Sequence, residues 1–158
     1  MTRFEDVDDG VVETYLSVVE ERFPELGQLK IKLVFDMKKR VKDGKICLAH
    51  VELANDKIKY FSKDDVAIDG YDAVVFFDRK AWSFADDKNR KRLMSHELRH
   101  VFIDETGKVR LMPHDVSDFQ SEIKLNADDP DWGFKLGTLT NAVYEQEKEM
   151  AKAQKKGN

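Results

Sequence analysis

The chain carries a single cysteine and three prolines in 158 residues, and it has no long apolar run. One thiol, Cys47, forms no disulfide within the chain, which points to a reducing, cytoplasmic setting. Its context, K-I-C-L-A-H-V, reads as a strand in which Cys47 is a small buried apolar residue. No stretch approaches the roughly 20 apolar residues that span a bilayer, so no membrane association is expected. The acidic opening M-T-R-F-E-D-V-D-D-G lacks the apolar core of a secretory signal. Positive charge is not in excess either: 27 Lys and Arg stand against 31 Asp and Glu, for a formal net charge of −4. That balance argues against a direct nucleic-acid-binding surface. What the chain does have is charge of both signs, 37%, around a hydrophobic complement of 41%. This describes a globular protein large enough for a core of its own, expected as one monomeric domain over residues 1–158.

Val11, Val12, Tyr15, Leu16, Val18, Val19 and Phe23 recur at helical spacing behind Asp8 or Asp9 as cap, and Pro24 and Gly27 end that helix. L-K-I-K-L-V-F alternates with period two and predicts a strand. A charged connection with an Asp43-Gly44 turn leads to a second strand around Ile46 to Leu53. Residues 55–69 are polar and read as a loop with a short strand. Tyr71 to Phe77 is the most hydrophobic run and predicts a further strand, one that an extended peptide is expected to join. A helix follows from Asp86 or Asp87 to about Ile103, then a turn at Gly107 and an extended V-R-L-M. A short helix is predicted near Asp115, with Val116, Phe119 and Ile123 as its apolar face. The tail, 127–158, reads as helical from Trp132, with Leu136, Leu139, Val143 and Met150 on one side and a solvated end after Glu145. The order predicts an α+β fold, helices packed against one small mixed or antiparallel sheet.

Three of the four histidines lie within S-H-E-L-R-H-V-F-I-D-E-T-G-K-V-R-L-M-P-H-D, Ser95 to Asp115. On a helix His96 and His100 are about 40° apart around the axis, so both rings reach one point. Met94, Leu98 and Val101 fall on roughly the opposite side. Glu97, about 100° from His96, approaches a metal-bound water without being a ligand. That is the physical content of H-E-x-x-H: two imidazoles from one face and a carboxylate placed for base work. By composition such a motif arises by chance about one time in a hundred. The bland alternative is a solvated helix face on which the three residues coincide.

A catalytic zinc needs a third protein ligand and an open fourth position. His114 is the best candidate, since Gly107 lets the chain reverse and V-R-L-M carries it back. Asp115 and Asp118 compete for the role, although Asp115 is also explained as an N-cap and Asp118 as a first-turn acid. Either aspartate also suits an orienting bond to a ligand histidine. His50 lies in a predicted strand and is left out of the ligand set. Arg99, Arg110 and Tyr144 are candidates to stabilise an oxyanion.

The stretches Y-D-A-V-V-F-F-D-R-K-A-W, H-E-L-R-H-V and R-L-M-P-H-D-V-S-D-F resemble a known family. It is the phage metallopeptidases, compact HExxH zincins found in bacteriophages and related mobile elements. The earlier D-G-K-I-C-L-A-H-V resembles the family's preceding strand, so the resemblance covers most of residues 29–125. It implies that His96, His100 and His114 bind one Zn2+, that Glu97 is the general base, and that the substrate is a peptide or protein. It also implies a host cytoplasmic location. Arg99 stands where the family pattern has a small or apolar residue.

The function expected is therefore a zinc-dependent metallopeptidase, a hydrolase of peptide bonds. Two rival readings stand beside it. One is a non-catalytic mobile-element protein with a structural or vestigial metal site, acting by protein binding. The other is a protease of DNA-bound proteins, against which the acidic balance and the lack of a basic appendage count.

Overall fold

The computed structural model describes residues 2–113 and 125–157. Asp8 opens the first helix, α1 (Asp9–Arg22), by accepting from the Val11 amide at 3.1 Å. Val11, Val18 and Val19 face inward from it, and Phe23 and Pro24 turn the chain into a single 3-10 turn, Pro24–Gln28. Ahead of α1 lies β1 (Phe4–Asp6), which the sequence reading did not predict.

The central sheet contains β1, β2 (Ile31–Asp36), β5 (Ala49–Leu53) and β6 (Ala73–Asp78), in the spatial order β1-β2-β6-β5. β2 and β6 run parallel, while β1 on β2 and β5 on β6 are antiparallel, so the sheet is mixed. Register sets its two faces. Ile31, Leu33 and Phe35 stand level with Ala73, Val75 and Phe77, and Ala49 and Val51 complete the same side. These side chains form the core together with α1 and α4 (Asp87–Arg99). Trp82, 2% exposed, joins it from α3 (Arg79–Phe84) with its ring 4.9 Å from that of Phe77.

The predicted second strand divides. β3 (Val41–Lys42) and β4 (Lys45–Ile46) form a small hairpin over Asp43 and Gly44. Both turn residues have positive φ, 53° and 75°, as a type I′ turn requires. Only Ala49–Leu53 enters the main sheet. Where residues 55–69 were expected as a loop with a short strand, they contain a helix, α2 (Asp56–Phe61), capped by Asn55. Gly70 lets it sit close, because a Cβ there would lie 1.8 Å from the Lys59 carbonyl oxygen.

Three further expectations are corrected. The expectation that a peptide pairs with the Tyr71–Phe77 strand fails, since β6 is bonded to β2 on one side and β5 on the other. The histidine helix ends at Arg99 rather than near Ile103. Val101–Ile103, two β-branched residues and a phenylalanine, instead form β7, paired antiparallel with β8 (Val109–Leu111). The last helix, α5 (Trp132–Lys156), buries Trp132, Leu136 and Thr140, whereas Leu139 and Met150 are 46% and 58% exposed. α5 packs on α3 and β4. The short helix predicted near Asp115 lies outside the described residues. The architecture is α+β. No helix among the described residues is long and apolar enough to cross a membrane.

Candidate metal centre

The H-E-x-x-H motif begins in the last turn of α4 and ends at its C-cap residue. Asp86 caps the start of that helix through the Asn89 amide, and Leu93, Met94 and Leu98 lock it to the core. Rotation around the axis then sets the motif. His96 is half-buried, Glu97 is 5% exposed, and His100 is the C-cap residue just beyond the helix. The two imidazole rings lie 5.5 Å apart, centroid to centroid. Two imidazoles sharing one tetrahedral ion through bonds of about 2.1 Å place their rings about 5 Å apart, so the pair fits a common metal.

His100 is held more tightly than its place at a helix end suggests. Its Nδ1 lies 2.6 Å from the Met112 carbonyl oxygen. The Met112 amide in turn donates to the His100 carbonyl at 2.6 Å, one step beyond the Val101–Leu111 pair of the β7–β8 hairpin. A carbonyl only accepts, so Nδ1 carries the proton. The lone pair of the neutral ring is then on Nε2, the tautomer a metal ligand needs. The sequence reading missed this carbonyl. The nearest sequence signal was the Thr-Gly turn between V-F-I and V-R-L.

Glu97 faces the start of β5. Burial and then the Glu97 charge push the Cys47 thiol up in pKa, and that thiol donates to the Ala49 carbonyl at 3.1 Å. Cys47 is half-buried. α4 packs against β5, and β8 also comes close to β5. The base candidate thus sits where a helix end, a strand start and a hairpin converge.

The remaining sequence candidates separate. His114, Asp115 and Asp118 lie outside the described residues. Among the described residues, no group of three or more His, Cys, Asp or Glu side chains is placed to hold a metal. His50 projects from the opposite face of the sheet to Val51. It stacks on Phe76 at 4.6 Å, with Arg40 Nη1 3.1 Å from its Nε2. Burial, then Arg40, pushes its pKa down. Arg99 places its guanidinium 4.8 Å from the centroid of the Phe23 ring, toward the end of α1. Arg110 pairs with Asp104 at 2.6 Å. Tyr144 donates to Asp78 at 2.6 Å, and burial, then that carboxylate, pushes its pKa well above the usual range. Arg110 and Tyr144 are therefore engaged elsewhere.

No curated protein and no solved structure matches the chain. A family model described as "Putative phage metallopeptidase" matches residues 4–153. A metallopeptidase family implies a metal cofactor and a protein or peptide substrate. With the match running from the first residue of β1 into the last turn of α5, the chain belongs to the phage metallopeptidase family.

Proposed function

We propose that the chain, a single domain over 1–158 working as a monomer in the host cytoplasm, is a zinc-dependent peptidase. One Zn2+ is held by His96, His100 and His114, and Glu97 is the general base. The observation that carries this reading is the histidine pair, with rings 5.5 Å apart and His100 fixed by Met112 as the Nδ1–H tautomer. Neutral nitrogen donors on a tetrahedral plan suit zinc among the divalent metals. When bound, zinc supplies polarisation of the scissile carbonyl and acidification of the attacking water.

The chain's own residues do the rest. Glu97, buried at 5% exposure, takes the proton from the attacking water and passes it to the departing amine. Its seclusion keeps bulk water from competing for that proton. β5 is the strand on the Glu97 side whose outer edge is bonded to no other strand among the described residues. It therefore replaces β6 as the place where an extended substrate lies.

The test is metal analysis of protein loaded at neutral pH, alongside wild type and Glu97→Gln in a broad peptide-cleavage screen. Wild type is expected to hold one zinc and cleave. Glu97→Gln is expected to hold zinc and lose about 10²–10⁴ in rate. A wild type without zinc, or equal cleavage by the variant, defeats the reading.

A further inference from the structure

His100 differs from His96 in what orients it. His96 is inside α4 and inherits its direction from the helix. His100 is the C-cap residue, still helical in φ and ψ with its amide bonded back to Glu97 and Leu98, but with no further helical turn behind it to hold the ring. Its carbonyl and its ring both also meet one residue, Met112, at 2.6 Å each. Met112 is brought there by β7 and β8, only three residues each. Two strands this short hold register only if their turn is rigid.

The turn is built around one side chain. Asp104 Oδ1 accepts from the Thr106 hydroxyl at 2.6 Å and from the Thr106 and Lys108 amides at 2.9 Å each. Its Oδ2 accepts from Arg110 Nε at 2.6 Å, on β8 itself. Its backbone closes the loop as well, the amide donating to the Lys108 carbonyl and the carbonyl accepting from Gly107, both at 2.9 Å. Gly107 has φ +83°, which the turn needs and a side chain would resist.

We infer that Asp104 is a positioning residue for the metal centre. It fixes the β7–β8 register, which delivers the Met112 carbonyl to His100 and selects the ring's Nδ1–H tautomer. The inference deepens the zinc reading and rests on it only for the affinity arm below. Loosening the hairpin frees His100 to rotate and to exchange tautomers, so a ligand that was pre-set must be ordered on binding.

Two measurements on the full chain separate this from a role in stability alone. The first uses metal-free protein at a pH where the ring is neutral and reads the His100 ring nitrogens by 15N NMR. Wild type is expected as Nδ1–H and Asp104→Ala as a mixture moving toward Nε2–H. Asp104→Asn keeps an acceptor for the Thr106 and Lys108 amides and is expected to retain the wild-type pattern. The second reads Zn2+ affinity by competition with a chromophoric chelator. Asp104→Ala is expected to bind about 10-fold more weakly, with Asp104→Asn close to wild type. If Asp104→Ala is unfolded at the assay temperature, Thr106→Ala and Arg110→Ala, each removing one bond to Asp104, are read in the same way. A wild-type ring in the Nε2–H form overturns the inference, as does a folded Asp104→Ala with unchanged tautomer and affinity. A wild type that shows Nδ1–H but binds no zinc overturns the metal reading and leaves the hairpin's control of His100 standing.

Discussion

At the scale of single residues, the carboxylates around the motif are set apart by what surrounds them. Asp104 is half-buried and held well below the usual carboxylate range, first by the Thr106 hydroxyl and then by Arg110. Asp78 is buried and pushed up, burial outweighing its bonds to Tyr144 and Ala81. A depressed folded-state pKa means that ionised Asp104 contributes stability above the unfolded value of about 3.9 and loses it as pH falls below that point. Asp104→Asn has no such titration. The gap in unfolding free energy between wild type and Asp104→Asn should thus be steady near neutrality and narrow below about pH 4. Urea denaturation at a series of pH values checks this, and a gap unchanged at acid pH rules it out. The motif residues were legible in the sequence because their chemistry resides in residue type and spacing. The Met112 carbonyl was not, because a backbone oxygen is the same in every residue and only the fold aims it.

At the scale of elements, β5 has the most direct consequence for substrate. Its neighbour β6 has both edges bonded, and β5 has one bonded among the described residues. An extended peptide added there uses main-chain hydrogen bonds from alternate residues. A cleavable peptide methylated in turn at each backbone nitrogen should accordingly show weakened cleavage at alternate positions flanking the scissile bond. A uniform response along the peptide excludes strand addition. Elements with a strong pattern were readable in advance: α1 shows helical spacing, β2 alternates and β6 is a continuous apolar run, and all three lie within a few residues of their predicted ranges. The elements that escaped prediction lack such patterns. β1 is three residues long, and α2 buries no side chain, so it has no apolar stripe to betray it. The early end of α4 was hidden because Val101, Phe102 and Ile103 continue an apolar run compatible with helix or strand.

At the scale of the whole molecule, the carboxyl-terminal helix divides into a docked half and a solvated half. Trp132, Leu136 and Thr140 are buried, and Tyr144 reaches Asp78 across 66 positions of sequence. Lys39–Glu145 and Lys80–Glu147 add surface pairs, of little energetic consequence. Residues 150–157 are exposed throughout. Removing residues 150–158 should therefore leave the melting temperature within about 2 °C. Ending the chain before Tyr144 should lower it by about 4–8 °C, from the loss of a charged hydrogen bond of about 2 kcal/mol. Thermal denaturation of the two truncations decides the matter, and equal melting temperatures would contradict the division.

The parallel pairing of β2 with β6 also governs the order in which the molecule is made. Every partner across that pairing lies 42 positions away, so the chain must close a long loop before the two central strands meet. Closure of that kind places folding among the slower topologies, on the scale of milliseconds to seconds. The β3–β4 hairpin and α2 fall inside the loop and depend on local contacts, so they are free to form while it is still open. During synthesis all four strands of the sheet leave the ribosome before α4 does. The helix bearing His96 and Glu97 thus arrives at a sheet already complete enough to receive its apolar face.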